Sequence, residues 1–151
     1  MNKKILAFVC DGEKFLILRN NSEDPSHGGD YWFTVTGSVE KDESQEEAIK
    51  REVKEETNLN ILKIINLNWA SIYSWGGQDH KENNFLALVK VGGIKLSQEH
   101  VDFMWLKLND FVEKIDWSSD KRVLKMVLEK ALKGEVLFKK EKIDDFRKRV
   151  A

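Results

Sequence analysis

At 151 residues, with 41% hydrophobic and 34% charged side chains, the chain has the length and composition of one ordinary globular domain. A formal net charge of -1 and a pI near 6.3 exclude the basic footprint that long nucleic acid demands. The lone cysteine, Cys10, excludes an internal disulfide, no run of residues approaches a membrane span, and Met-Asn-Lys-Lys-Ile leaves no room for a signal peptide before the first strand; a cytoplasmic protein is expected.

Ile5 to Cys10 and Phe15 to Arg19 are apolar, strand-like runs joined by a turn containing Asp11-Gly12, which is a hairpin signal. Cys10 ends the first run and reads as a small core residue rather than a nucleophile. From Asn20 to Asp30 the chain is polar and holds the only proline, Pro25, and the pair Gly28-Gly29, so it reads as a long surface loop. Gly37 and the irregular stretch to Glu43 form a second loop, delivered to a helix N-terminus.

That helix is the most informative element. Ser44 followed by Glu47 is a capping box, and Asn58 stands where a left-handed C-cap would end the helix. Glu52, Glu55 and Glu56 fall three and four residues apart, where like charges repel by roughly 0.2–0.5 kcal/mol per pair. A divalent cation would offset that cost, because Mg²⁺ takes oxygen ligands from a few carboxylates and bridges to substrate phosphates. A solvated helix supported by the Glu46–Lys50 and Glu47–Arg51 pairs is the competing reading.

Beyond it come strand-like Ile61 to Ile72, a loop around Gly76-Gly77, strand-like Phe85 to Val91 and an apolar segment, Val101 to Leu106. Ser118 or Ser119 is expected to cap a helix with Val123, Leu124, Val127, Leu128, Ala131 and Leu132 on one stripe, ended by Gly134. The tail, 134–151, carries Ile143, Phe146 and Val150 at helical spacing and reads as a helix, either packed on the body or forming a dimer contact. His27 and His80 fall in polar loops, and no histidine sits with a serine or cysteine in a nucleophile pattern. Strands flanked by helices on both faces give an α/β/α sandwich with a mixed sheet, in one domain over residues 1–151.

Gly37, Glu43, Arg51, Glu52, Val53, Glu55, Glu56 and Leu59 stand at a fixed spacing: Gly, five residues, Glu, seven residues, Arg-Glu, aliphatic, any residue, Glu-Glu, two residues, aliphatic. This resembles the box of the Nudix hydrolases, with Asn58 where that family usually has Gly and Val35-Thr36-Gly37 in place of Pro-Gly-Gly. The string from Tyr31 to Glu40, YWFTVTGSVE, is similar to the bacterial dihydroneopterin triphosphate pyrophosphohydrolase branch. The resemblance runs to about Lys133 and implies the same sandwich fold. It also implies a catalytic set of Arg51, Glu52, Glu55, Glu56 and Glu99. In that set Glu52, Glu55, Glu56 and Glu99 hold Mg²⁺, with Mn²⁺ as the alternative cation, helped by the Thr36 carbonyl. Glu99 enters because Gln98-Glu99-His100 precedes Phe103, Trp105 and Leu106 at the spacing of the similar enzymes; it is expected as a distal ligand or base, and His100 as structural. Arg51 is expected to pair with Glu43 and hold the site in shape.

Trp32, Tyr73 and Trp75 flank loops where a flat purine or pterin could stack, with core packing as the alternative for each. Thr36, Ser118 and Arg19 are expected to touch phosphates, although the similar enzymes place their arginine one residue later, where this chain has Asn20. Three readings follow. The first is Mg²⁺-dependent release of pyrophosphate from dihydroneopterin triphosphate or a nucleoside triphosphate such as dATP. The second moves the same chemistry to a dinucleoside polyphosphate or nucleotide sugar. The third is a non-catalytic nucleotide-binding module. The expected partner is a small phosphoanhydride, with no long nucleic acid and no membrane, and the chain is a monomer or a homodimer.

Overall fold

A computed structural model describes residues 1–21 and 30–145. The expected loop with Pro25, His27 and Gly28-Gly29 lies outside the described residues, as do Phe146 and Val150 of the tail.

Among the described residues, eight strands form one sheet: β1 (Asn2–Cys10), β2 (Phe15–Asn20), β3 (Trp32–Phe33), β4 (Val35–Ser38), β5 (Asn60–Trp75), β6 (Gln78–Lys90), β7 (His100–Leu106) and β8 (Lys142–Asp145). Their order is β3-β2-β1-β6-β5-β8, with β4 also paired to β1 and β7 to β2. The β1–β6 and β5–β8 pairs are parallel and the rest antiparallel, so the sheet is mixed.

The helices are α1 (Gln45–Thr57), α2 (Leu108–Lys114) and α3 (Lys121–Leu132). Alternation along β1 explains where they pack, because successive side chains of a strand point to opposite faces. Leu6, Phe8 and Cys10 join Phe111, Leu124, Val127 and Leu128 in one core beneath α2 and α3. Ile5, Ala7 and Val9 join Ala48, Ile49 and Val53 in the other, beneath α1. A strand buried on both faces reads as a continuous apolar run rather than an alternating one, which is how Ile5 to Cys10 reads. The expected α/β/α sandwich is therefore the observed fold. Burial of Cys10 also raises its thiol to about 11, which suits a core residue and not a nucleophile.

Four expectations need correction. Gly37 belongs to β4 rather than a loop, paired with Ile5 of β1. The segment around Gly76-Gly77 is only a two-residue hairpin turn, with φ of 62° and 75°, so β5 and β6 run on to Trp75 and Gln78 and His80 lies in a strand. Asp120, not Ser118 or Ser119, caps α3, its carboxylate accepting from the Arg122 amide at 2.8 Å.

The fourth is the tail. Lys142–Asp145 is a strand rather than a helix, pairing in parallel with Trp69 to Ile72 of β5. The Trp69 indole donates to the Asp144 carboxylate and Lys81 pairs with Glu141 at 2.6 Å, so the open edge of β5 fixes this segment more strongly than its weak helical period.

Candidate active site

Local physics places α1. Ser44 Oγ accepts from the Glu47 amide and Glu47 Oε1 accepts from the Ser44 amide, both at 3.0 Å, which closes the expected capping box. Asn58 takes φ 67° and its amide donates to the Lys54 carbonyl at 2.9 Å, so the left-handed cap is also in place. With Ala48, Ile49 and Val53 buried against the sheet, Glu52 and Glu56, four residues apart, share one flank beside β4.

The approach of Glu52 to β4 explains Gly37. A Cβ on Gly37 would lie 2.6 Å from Glu52 Oε1 and closer still to Cδ, so only glycine admits the carboxylate there. The glycine serves a close approach, not a turn.

Arg51 ties the loop, the strand and the helix together. Its Nε and Nη2 donate to Glu43 Oε2 and Oε1 at 2.8 and 2.9 Å, a bidentate fork, and Nη2 also donates to the Ser38 carbonyl at 2.9 Å. Nη1 donates to Glu52 Oε1 at 2.6 Å and lies 3.6 Å from Glu55. The expected Arg51–Glu43 pairing is thus present. The guanidinium bonds, with an added backbone bond from Glu40, hold the Glu43 carboxyl down at about 2.

Glu56 sits in the opposite environment. It is 3% exposed, its Oε2 makes no hydrogen bond to any described residue, and its carboxyl is bonded to Glu99. Burial first, then the Glu99 bond and the charge of Glu52, push its proton affinity well above that of an ordinary carboxylate. Glu52 is raised as well, chiefly by burial and against the pull of Arg51. Glu99 reaches Glu56 from the loop before β7, whose backbone is pinned by Asn21: the Asn21 amide donates to the Glu99 carbonyl at 2.9 Å and its side chain to the Gln98 carbonyl at 3.0 Å.

Among the described residues, ligand atoms of Glu56, Glu99 and His100 lie within 4.8 Å of one another. Two carboxylates in contact, one of them buried with an unsatisfied oxygen, need either a shared proton or a cation. The donors are carboxylate oxygens with one imidazole, a set that fits a small divalent ion. His100, expected to be structural, belongs to this group by position.

A cavity of about 390 Å³ opens over these residues. Of the expected site residues it is lined by Thr36, Arg51, Glu52, Glu56, Trp75 and Glu99. Glu55 stays on the exposed side of α1, at the edge of the Arg51 cluster. Four expected substrate contacts lie outside the lining. Arg19 is engaged by Asp30 through two bonds of 3.0 Å. Trp32 lies under the Lys114 ammonium, 4.5 Å from its ring centroid, and its amide donates to Asp116. Tyr73 is buried, stacked on His80 and donating its hydroxyl to Glu82 at 3.3 Å, so it packs the sheet. Ser118 is exposed, ahead of the Asp120 cap.

The lining also contains residues that the motif does not reach, notably Lys4, Asn20, Tyr31, Phe33 and Ser38. Lys4 has a readable signal, since it shares the period-two face of Leu6 and Phe8 just where β1 turns polar. Asn20 and Tyr31 flank the long loop and meet through a backbone bond, Asn20 N–H to Tyr31 O at 2.8 Å, which nothing local announces.

Known proteins bear on this geometry. A dihydroneopterin triphosphate diphosphatase of Haemophilus influenzae is 26% identical over 138 residues, 82% of this chain and 84% of that protein. An NAD-capped RNA hydrolase NudC of Mannheimia succiniciproducens is 30% identical over 108 residues, 70% of this chain and 39% of that protein. The chain thus spans about two fifths of the length of the NudC relatives it matches. Its fold is shared with the Escherichia coli dihydroneopterin triphosphate pyrophosphohydrolase (TM-score 0.62, 24% identity, 82% of this chain and 92% of that one). It is shared as well with a Caenorhabditis elegans Ap4A hydrolase (TM-score 0.66, 24% identity, 89% and 99%). Residues 2–127 match the family model of the NUDIX domain, and the chain belongs to the Nudix family.

Proposed function

We propose that the protein hydrolyses a phosphoanhydride in a dihydroneopterin or nucleoside triphosphate with a divalent cation, Mg²⁺ by preference, releasing pyrophosphate and the monophosphate. The observation that carries this reading is the buried Glu56 carboxyl, bonded to Glu99 and carrying an oxygen that no described residue satisfies, on the same flank as Glu52. Support for a triphosphate comes from the Haemophilus relative, which is named for that substrate and matched over 84% of its length.

Glu52, Glu56 and Glu99 would hold the cation, with Glu55 and the Thr36 carbonyl at the rim. When bound, it neutralises phosphate oxygens and makes water a stronger nucleophile. The chain's own groups do the rest. A carboxylate oxygen of the Glu56–Glu99 pair that the cation does not engage would take the proton of the attacking water. Arg51 is a positioning residue, since its donors are engaged by Glu43, Glu52 and the Ser38 carbonyl. Trp75 offers the aromatic wall against which a flat heterocycle can lie.

The test is a panel of dihydroneopterin triphosphate, dNTPs, diadenosine polyphosphates, NAD and ADP-ribose, assayed with Mg²⁺ for pyrophosphate and monophosphate release. Pyrophosphate from a triphosphate supports the reading. Cleavage confined to the diphosphate-bridged compounds moves the activity toward that of the NudC relatives. An intact panel refutes hydrolysis and favours a nucleotide-binding module.

A further inference from the structure

The group formed by Glu56, Glu99 and His100 contains a donor from outside the motif that runs from Gly37 to Leu59, and that donor is an imidazole. Ligand atoms of the three residues lie within 4.8 Å of one another, and all three residues line the cavity. Glu56 is 3% exposed and its Oε2 makes no hydrogen bond to any described residue, so the group holds a buried oxygen that calls for a ligand.

Backbone irregularity carries His100 there. β2 and β7 pair Arg19 with Asp102 and Asn20 with His100, so Val101 is an extra residue, a β-bulge of β7. In a regular strand His100 would share the face of Asp102, which is exposed. The bulge breaks that alternation between the two, and His100 joins Glu99, the residue before it, in the cavity wall. The nitrogen it brings changes the chemistry of the group. Mg²⁺ takes oxygen ligands, whereas imidazole suits first-row transition cations. A coordinating imidazole gives one ring nitrogen to the ion and donates from the other to an outer partner, so further contacts of His100 are compatible with the role.

We infer that His100 is a nitrogen ligand of the cation held by Glu56 and Glu99, and that through it the site takes first-row transition cations such as Mn²⁺ and Co²⁺ alongside Mg²⁺. The inference rests on the proposed cation site and adds a ligand that sets which ions the site admits. Mg²⁺ is held through the carboxylates and draws little from His100. Mn²⁺ draws more, and Co²⁺ most, in the order in which nitrogen-containing sites favour them.

The experiment is calorimetric titration of Mg²⁺, Mn²⁺ and Co²⁺ into chelator-treated wild-type protein and His100→Gln, with melting of both metal-free proteins. Electron spin-echo envelope modulation of the Mn²⁺ forms accompanies it, because it detects nitrogen coordinated to the ion. The wild-type spectrum is expected to show nitrogen coupling and the variant to lose it. His100→Gln is expected to bind Co²⁺ at least about tenfold more weakly, the scale of a lost metal-holding group, and Mg²⁺ within about threefold of wild type. A wild-type Mn²⁺ spectrum without nitrogen coupling overturns the assignment, as does equal Co²⁺ affinity in the two proteins, and both results leave the carboxylate site standing. A loss of the same size for all three cations also overturns it, since His100 would then hold the group in place without selecting the ion. The wild-type spectrum decides the assignment even where the variant melts early. Wild-type protein that binds none of the three cations refutes the cation site itself.

Discussion

Glu43 and Glu56 bracket the same helix and live under opposite conditions. Glu43 accepts a bidentate fork from Arg51 and a backbone amide, and its carboxyl is held down at about 2. Glu56 is buried against Glu99 and Glu52, with an oxygen that no described residue satisfies, and its carboxyl holds its proton far more tightly than usual. The first carboxylate is satisfied by the protein alone and belongs to the scaffold. The second is left in a state that only a proton or a cation relieves, and such groups gather at functional sites. Charge alone would not distinguish them; their partners do.

The largest expected effect comes from the unsatisfied member. Glu56→Gln should lower turnover by about two to four orders of magnitude, the range for losing a positioned acid–base group, while circular dichroism and melting show a retained fold. Near wild-type turnover in that variant would erase the contrast with Glu43. Next is Gly37→Ala, which forces the Glu52 carboxylate away from β4. A displacement on the order of 1 Å near a reacting centre costs about a hundredfold, so kcat should fall by roughly that factor. Unaltered kinetics would mean that Glu52 need not sit where it does.

What could be read from the sequence divides along the same line. Helix α1, with Ser44, Glu47 and Asn58, was legible because every determinant lies within one short stretch of chain. Arg51–Glu43 and Glu99 were legible through spacing that a known family shares. Asn20 and Tyr31 were not, because a backbone bond across a long loop brings them to the site, and Lys4 left only the period-two signal of β1. His80 read as a loop residue, and Tyr73 as flanking a loop, since Gly76-Gly77 suggested a wide connection, whereas the turn is two residues long and both side chains pack within the hairpin. β8 was misread for a different reason: a four-residue edge strand with Ile143 largely exposed has no burial pattern to betray it, and only the open edge of β5 defines it. α2 was missed because its seven residues carry no side-chain cap.

A smaller, pH-dependent effect sharpens the comparison from the side of Glu43. Its folded-state value lies below the ordinary 4.5, so the Arg51–Glu43 contribution to stability is present above pH 4.5 and is lost as pH falls toward about 2. Denaturant unfolding from pH 6 to 3 should show a steeper fall for wild type than for Glu43→Gln. Parallel curves would show that the fork contributes nothing. Glu56 has the reverse sign. Its proton affinity is raised by folding, so metal-free protein should lose stability as pH rises above 4.5. In chelator, Glu56→Gln should then be more stable than wild type at pH 8, with the difference shrinking toward pH 5.

The central claim is that the Glu56–Glu99 pair, on the same flank as Glu52, is a divalent-cation site. Calorimetric titration of Mg²⁺ into chelator-treated wild type and Glu56→Gln, with thermal melting of the same samples, tests it most directly. The account predicts saturable binding and a rise in melting temperature for wild type, and at least about tenfold weaker binding for the variant, as for loss of a metal-holding group. Equal Mg²⁺ affinity in the two proteins, with equal gains in melting temperature, would contradict it.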